Sequence, residues 1–265
     1  MGPQPLDRLV SLQRRIEARA DPYPVAEFVD RLCVTKVREK AHLDFYGDPF
    51  GESFVDLLNT LLDPTVANSV VSLDLRGPDT GANGTRNWDL SSLADGAVHF
   101  PALRQLSIEQ TKPADHNRSI VARSYAEDGV LAKILAKAPR LEALITPSAP
   151  NAQFFNIPSH PIQYLSVDSG YDHQGFIANL ARSACFPKLR SFEFGEFNET
   201  YLADHVAQTT PFSNYRELFA SPAFASVRAF QWKNPVCSAA EIAEIKTLKP
   251  GCQVKVVRWS AVWLR

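Results

Sequence analysis

Phe100-Pro101-Ala102-Leu103-Arg104-Gln105-Leu106-Ser107-Ile108 and Phe186-Pro187-Lys188-Leu189-Arg190-Ser191-Phe192-Glu193-Phe194 are two copies of one pattern, F-P-x-L-R-x-Φ-x-Φ, where Φ is apolar. Sliding its core, L-x-x-L-x-L, along the chain finds Val70/Leu73/Leu75, Leu103/Leu106/Ile108, Leu141/Leu144/Thr146, Ile162/Leu165/Val167, Leu189/Phe192/Phe194 and Val227/Phe230/Trp232. A weaker copy over Lys40 to Phe45 precedes them. The six starts lie 33, 38, 21, 27 and 38 residues apart, always enough chain for a crossover. The end of each core alternates apolar with polar, the period of a strand with one buried face.

Between the cores the period changes. Phe54, Leu57, Leu58, Leu61 and Leu62 recur at helical spacing, as do Val130, Leu131, Ile134, Leu135 and Ala138, then Phe176, Ile177, Leu180, Ala181 and Ala184. Ser124-x-x-Glu127 and Ser238-x-x-Glu241 have capping-box spacing, and Asp63-Pro64, Ala138-Pro139 and Lys249-Pro250-Gly251 read as stops. Repeated strand–helix units predict parallel neighbours, because antiparallel ones need only tight turns.

These residues resemble the leucine-rich repeat family in an irregular form. Its L-x-x-L-x-L consensus opens each unit with a short strand. Unit lengths vary here, and the Asn or Cys that follows the last Leu of the consensus is not recognisable in most copies. The resemblance implies an α/β leucine-rich-repeat solenoid, a horseshoe with a curved parallel β-sheet on its concave side and helices on its convex side. A doubly wound α/β sheet is the alternative, but its strands are buried on both faces, and these alternate. The expected organisation is a helical N-terminal cap over residues 1–39, irregular repeats over 40–250 and a capping strand over 251–265. The N-terminal cap comprises an apolar helix face (Leu6, Leu9, Val10, Leu12, Ile16), a break at Asp21-Pro22-Tyr23-Pro24 and a second helical stretch from Val25 to Val37; at the other end the final strand closes the sheet, with Trp259 and Trp263 covering the last layer.

Composition narrows the function classes. The 265 residues are 45% apolar and 22% charged with a net charge of −1, which removes the global electrostatic reason for nucleic-acid or anionic-membrane binding. No apolar run is long enough for a spanning helix, and the first residues lack the apolar stretch of a signal peptide, so a cytoplasmic protein is expected. Cys33, Cys185, Cys237 and Cys252 form no C-x-x-C pair and read as buried thiols. No two of the six histidines have ligand spacing on a helix, so no metal is expected. P-loop, Rossmann, zincin and nucleophile-elbow motifs are absent, and no cofactor is expected. Gly77 to Gly84 is glycine-rich but reads as a long loop, since no helix opens directly after it.

Register assigns the candidate site. With the L-x-x-L-x-L positions pointing inward, the intervening side chains share the opposite face. By strand these are His42, Asp44 and Tyr46; Ser72, Asp74 and Arg76; Gln105, Ser107 and Glu109; Ala143, Ile145 and Pro147; Tyr164, Ser166 and Asp168; Ser191, Glu193 and Gly195; and Ala229, Gln231 and Lys233. Five carboxylates against Arg76 and Lys233 predict an acidic ladder, and the loop Asp168-Ser169-Gly170-Tyr171-Asp172-His173 lies at its carboxyl edge. The expected function is non-catalytic binding of a protein partner, basic in character, on this face and its loops, as in an adaptor or a toxin-neutralising immunity protein. The predicted contacts are His42, Asp44, Tyr46, Asp74, Arg76, Glu109, Tyr164, Asp168, Tyr171, Asp172, His173, Glu193 and Lys233. The alternative is a hydrolase-like enzyme pairing an Asp with His173 at the Asp168–His173 edge. A ubiquitin-ligase substrate receptor would need a docking module that the residues before the repeats do not show.

Overall fold

The structure is a computed structural model that describes residues 4–19, 29–81, 84–122, 127–196 and 205–258. It is a mixed α/β fold built on one nine-stranded, mostly parallel sheet. Helix α1 (Pro5–Arg19) precedes strands β1 (Arg31–Val37) and β2 (Lys40–Tyr46). Helices α2 (Glu52–Leu61) and α3 (Pro64–Ala67) lead to β3 (Val70–Arg76), β4 (Thr85–Asn87), α4 (Ser91–Asp95), β5 (Gln105–Ile108) and β6 (Arg118–Ile120). Then come α5 (Val130–Lys137), β7 (Ala143–Thr146), β8 (Tyr164–Asp168), α6 (Phe176–Ala181), β9 (Ser191–Gly195), α7 (Phe212–Ala220), β10 (Ala229–Lys233), α8 (Ala239–Leu248) and β11 (Gln253–Val257).

Each of the seven sequence cores is a strand of this sheet, and its order, β1-β2-β3-β5-β7-β8-β9-β10-β11, follows the chain. Every neighbouring pair from β2 onward is parallel, as the crossovers require, and β1 alone is antiparallel. Register aligns the apolar positions strand by strand: Leu43, Leu73, Leu106, Leu144, Leu165, Phe192 and Phe230 form one row, each at most 3% exposed. Phe45, Leu75, Ile108, Val167, Phe194 and Trp232 belong to a second. Thr146 stands in that second row, and its hydroxyl donates to Ser148 O at 3.1 Å, which satisfies a group that would be costly to bury alone.

Helix residues Leu57, Leu61, Leu93, Ile134, Ile177, Leu218 and Ile245 join these rows in one core. The opposite side chains of the sheet are mostly half-exposed. The helices thus cover one face, and the other is polar.

Three expectations need correction. Residues 31–37 are a strand where helix was expected: β1 pairs along its whole length with β2 through a turn at Arg38-Glu39, with Arg38 at φ 56°. Helix α5 begins at Val130, later than a cap at Ser124 implies. Ser124 lies outside the described residues, while Glu127 accepts the Gly129 and Leu131 N–H groups at 3.0 and 2.9 Å. Cys33 is exposed and Cys237 half-buried, so only Cys185 and Cys252 are buried thiols. The Ser238 capping box is formed, with Glu241 answering the cap N–H. The break at residues 21–24, and Trp259 and Trp263, lie outside the described residues. Among the described residues no helix is long and apolar enough to cross a membrane.

Beyond the carboxyl ends of the strands, the loops after β3 and β5 pair with each other as β4 and β6. Asp79 accepts the N–H groups of His116 and Asn117 at 2.8 and 3.0 Å, so the glycine-rich loop is clasped to its neighbour. Arg86, 4% exposed, donates to Gly77 O and pairs with Asp115, and Trp88 packs edge-on against Phe54.

Candidate functional site

The polar face is built from three rows fixed by the strand register. The row nearest the strand starts runs from His42 through Gln105, Ala143 and Tyr164 to Ser191 and Ala229. The middle row runs Asp44, Asp74, Ser107, Ile145, Ser166, Glu193 and Gln231. The last includes Tyr46, Arg76, Asp168, Gly195 and Lys233.

At the β2–β3 end the charges are matched within the face. Arg76 holds Asp44 through both carboxylate oxygens at 2.6 and 2.8 Å, and that contact raises the already high guanidinium pKa. The pair is nearly half exposed, so it orients the two side chains more than it stabilises the fold. Gln105 Nε2 donates to Asp74 at 3.0 Å, His42 Nδ1 lies 2.9 Å from Ser72 Oγ, and the Arg31 guanidinium stacks 4.2 Å over Tyr46. Glu109 turns toward the loops: it accepts Gly77 N–H at 3.3 Å and pairs with Arg86 and Lys112.

At the β8–β10 end the carboxyl half of the face is covered. Gln110, from the loop after β5, reaches over the sheet, donates to Thr146 O at 3.0 Å, and accepts from Lys233 Nζ at 2.7 Å and Ser166 Oγ at 3.2 Å. Beneath it Lys233 is 5% exposed and Ser166 1% exposed. The Lys233 ammonium lies 3.4 Å from Glu193 and 3.5 Å from Asp168. Burial pushes the Asp168 carboxyl up to about 6, with Lys233 only partly opposing it, and its Oδ1 makes no hydrogen bond among the described residues. Glu193 accepts from Tyr164 Oη at 2.9 Å and Gln231 Nε2 at 3.1 Å. Burial and this carboxylate together push the Tyr164 phenol up to about 12.

The loop residues form their own turn. Asp172 accepts Gln174 N–H at 2.7 Å, His173 Nδ1 accepts Gly175 N–H at 3.0 Å, and Tyr171 lies under the Arg118 guanidinium at 5.2 Å. Among the described residues His173 has no hydrogen bond to a carboxylate. The cavity beside Asp168, lined by Arg118, Gly195, Glu196 and Asn234, measures about 20 Å³, room for one water. No group of three or more His, Cys, Asp or Glu among the described residues is placed to hold a metal ion.

The structure therefore brings Tyr164, Asp168, Glu193 and Lys233 into one cluster and pairs Asp44 with Arg76. It leaves Tyr171, Asp172 and His173 in a separate turn, and the acids are far from an unmatched ladder. Sequence reading missed Gln110 and Arg118, whose roles depend on a loop path with no local signature. It also missed Glu196, which continues the inward parity of Phe192 and Phe194; a charge in that position was the available signal. Comparison with protein-family models, with curated proteins and with solved structures finds no match for this chain.

Proposed function

We propose that the chain is a leucine-rich-repeat type solenoid that acts without catalysis, holding a protein partner on the polar face of its sheet. The observation that supports this reading is the chain-ordered sheet with helices on one side only: each unit adds one strand, and the face left uncovered widens with every unit. From β2 to β10 the sheet spans six strand spacings, roughly 29 Å, the scale of an ordinary protein interface.

The test is photo-crosslinking from single sites in the cells that make the protein. A crosslinker at Ser107 or Gln231, on the polar face, should give a discrete protein adduct. The same group at Lys133 on α5 or Glu217 on α7 should not. Adducts from the helix positions alone would contradict the proposal.

A further inference from the structure

We propose that the outer edge of β11 is a second docking site, where an extended segment of alternating apolar and acidic residues adds to the sheet as one further strand. The proposal stands on the backbone geometry at the end of the sheet and is independent of the polar-face reading above. In the β10–β11 ladder Gln253 N–H donates to Arg228 O at 2.8 Å and Asn234 N–H to Val257 O at 2.7 Å. Alternate residues of a strand direct both backbone groups to the same neighbour, so Gln253, Lys255 and Val257 face β10. Val254 and Val256 then turn their N–H and C=O groups outward, and β11 is the last strand of this sheet among the described residues. These four groups are what a sheet edge offers to an incoming strand. The opposite edge is treated differently: helix α1 packs against β1, and Gln13 accepts the outward Val34 N–H at 3.0 Å. Among the described residues no side chain bonds to the backbone of Val254 or Val256.

The side chains of this edge set the chemistry of the segment. Lys255 stands in register with Gln231 and Glu193 on the polar side of the sheet, and it is exposed. Val254 and Val256 are half-buried on the helix side, in register with Phe230 and Trp232. Arg228, exposed just before β10, and Lys255 have no carboxylate partner among the described residues, and Arg258 donates to Cys237 O at 3.1 Å. The acids of the last two helices are already engaged: Glu217 by Arg182, Glu244 by Arg216 and Glu241 by the Ser238 cap. A segment beside β11 therefore meets a cation on one side and two valines on the other, which fits an acid flanked by apolar residues. A second copy of this chain fits less well, because the fully overlapped antiparallel register sets Lys255 directly against its counterpart.

The test titrates the full chain with a synthetic peptide of about nine residues in which Val and Glu alternate, while backbone amide exchange is followed by NMR. The Val254 and Val256 amides should exchange rapidly in the chain alone and become protected by the peptide, with no change at Val34. A peptide alternating Val and Lys should bind roughly tenfold more weakly, and Lys255→Glu should reverse that preference. Val256→Pro removes an outward N–H without touching the ladder to β10, and should weaken binding roughly tenfold. Should that variant not fold, the peptide carries the same test: N-methylation of one alternate set of its amides should abolish binding and of the other set should be tolerated. No binding, equal effects from both methylated sets, or protection at residues other than those of β11 would overturn the proposal. So would Val254 and Val256 amides already protected in the chain alone, whether by residues 259–265 or by a second copy. None of these outcomes touches the crosslinks from Ser107 and Gln231, so the two docking readings stand or fall separately.

Discussion

Asp168 occupies the space that a side chain at Gly195 would need: a Cβ there would overlap its carboxyl. Gly195→Ala should therefore destabilise the fold by about 1–3 kcal/mol, with the displaced carboxyl losing its position beside Lys233. In denaturant melts Asp168→Ala should relieve part of that loss; strictly additive effects would show that the two residues do not share the space. Parity decides a second comparison. Leu165, fully buried, should unfold the chain when replaced by Asp, and half-exposed Ser107→Asp should be nearly silent. Alternation alone predicts the same silence for Ser166, but its hydroxyl is bonded to Gln110 and Glu193 and sealed from water, so Ser166→Asp should be clearly destabilising in the same melts. One contribution to the pH response comes from Glu196, whose carboxylate accepts Thr210 N–H at 3.0 Å and the Tyr215 hydroxyl, and which burial pushes up to about 7. A raised carboxyl pKa contributes stability that is full below the unfolded value of 4.5 and is lost as pH rises through about 7. Tyr215 is pushed well above 10 and Cys237 up to about 12, so neither titrates in this window, whereas Asp168 does. Glu196→Gln keeps the shape without the titration. Between about pH 5 and about pH 8 the melting temperature of the native chain should fall relative to this variant; a constant difference would contradict the assignment.

The elements differ in how legible they were, for physical reasons. Strands β2, β3, β5, β7, β8, β9, β10 and β11 could be read from alternation, because one buried face imposes a period of two. Helices α2, α5 and α6 showed their buried positions at a period near 3.6. Strand β1 escaped because its turn, Arg38-Glu39, has none of the Gly, Asn or Asp that announce a hairpin, and because its partner β2 supplies the pairing that selects strand over helix. The rows of the polar face were equally readable, since register follows from parity. Which of their side chains stay open was not, because the Gln110 crossing depends on contacts between residues more than a hundred positions apart. Helix α1 yields an element-scale prediction. It buries Leu9, Leu12 and Ile16 completely, each worth about 1.5–3 kcal/mol, and its Gln13 side chain accepts Val34 N–H of β1 at 3.0 Å. Deleting residues 1–19 should expose the start of the core and cause aggregation in light scattering. A soluble monomer with an unchanged melting temperature would make α1 dispensable.

At the scale of the whole molecule, the sheet has two faces of different character. Leu, Phe and Trp rows against the helices supply the burial that holds the chain together, and the opposite face is free to vary because most of its side chains are half-exposed. Matching of Asp44 by Arg76, and of Glu193 and Asp168 by Lys233, leaves a face of mixed charge, whose contribution to the proposed docking would be orientation more than affinity. The most direct measurement is hydroxyl-radical footprinting of the chain free and bound to the partner that the crosslinks identify. Labelling of Ile145, Tyr164 and Tyr46 on the polar face should fall on binding, while Val55 on α2 and Leu248 on α8, both exposed, should keep their labelling. Protection of Val55 and Leu248 with no change at Ile145 and Tyr164 would place the partner on the helices and contradict the assignment of the polar face.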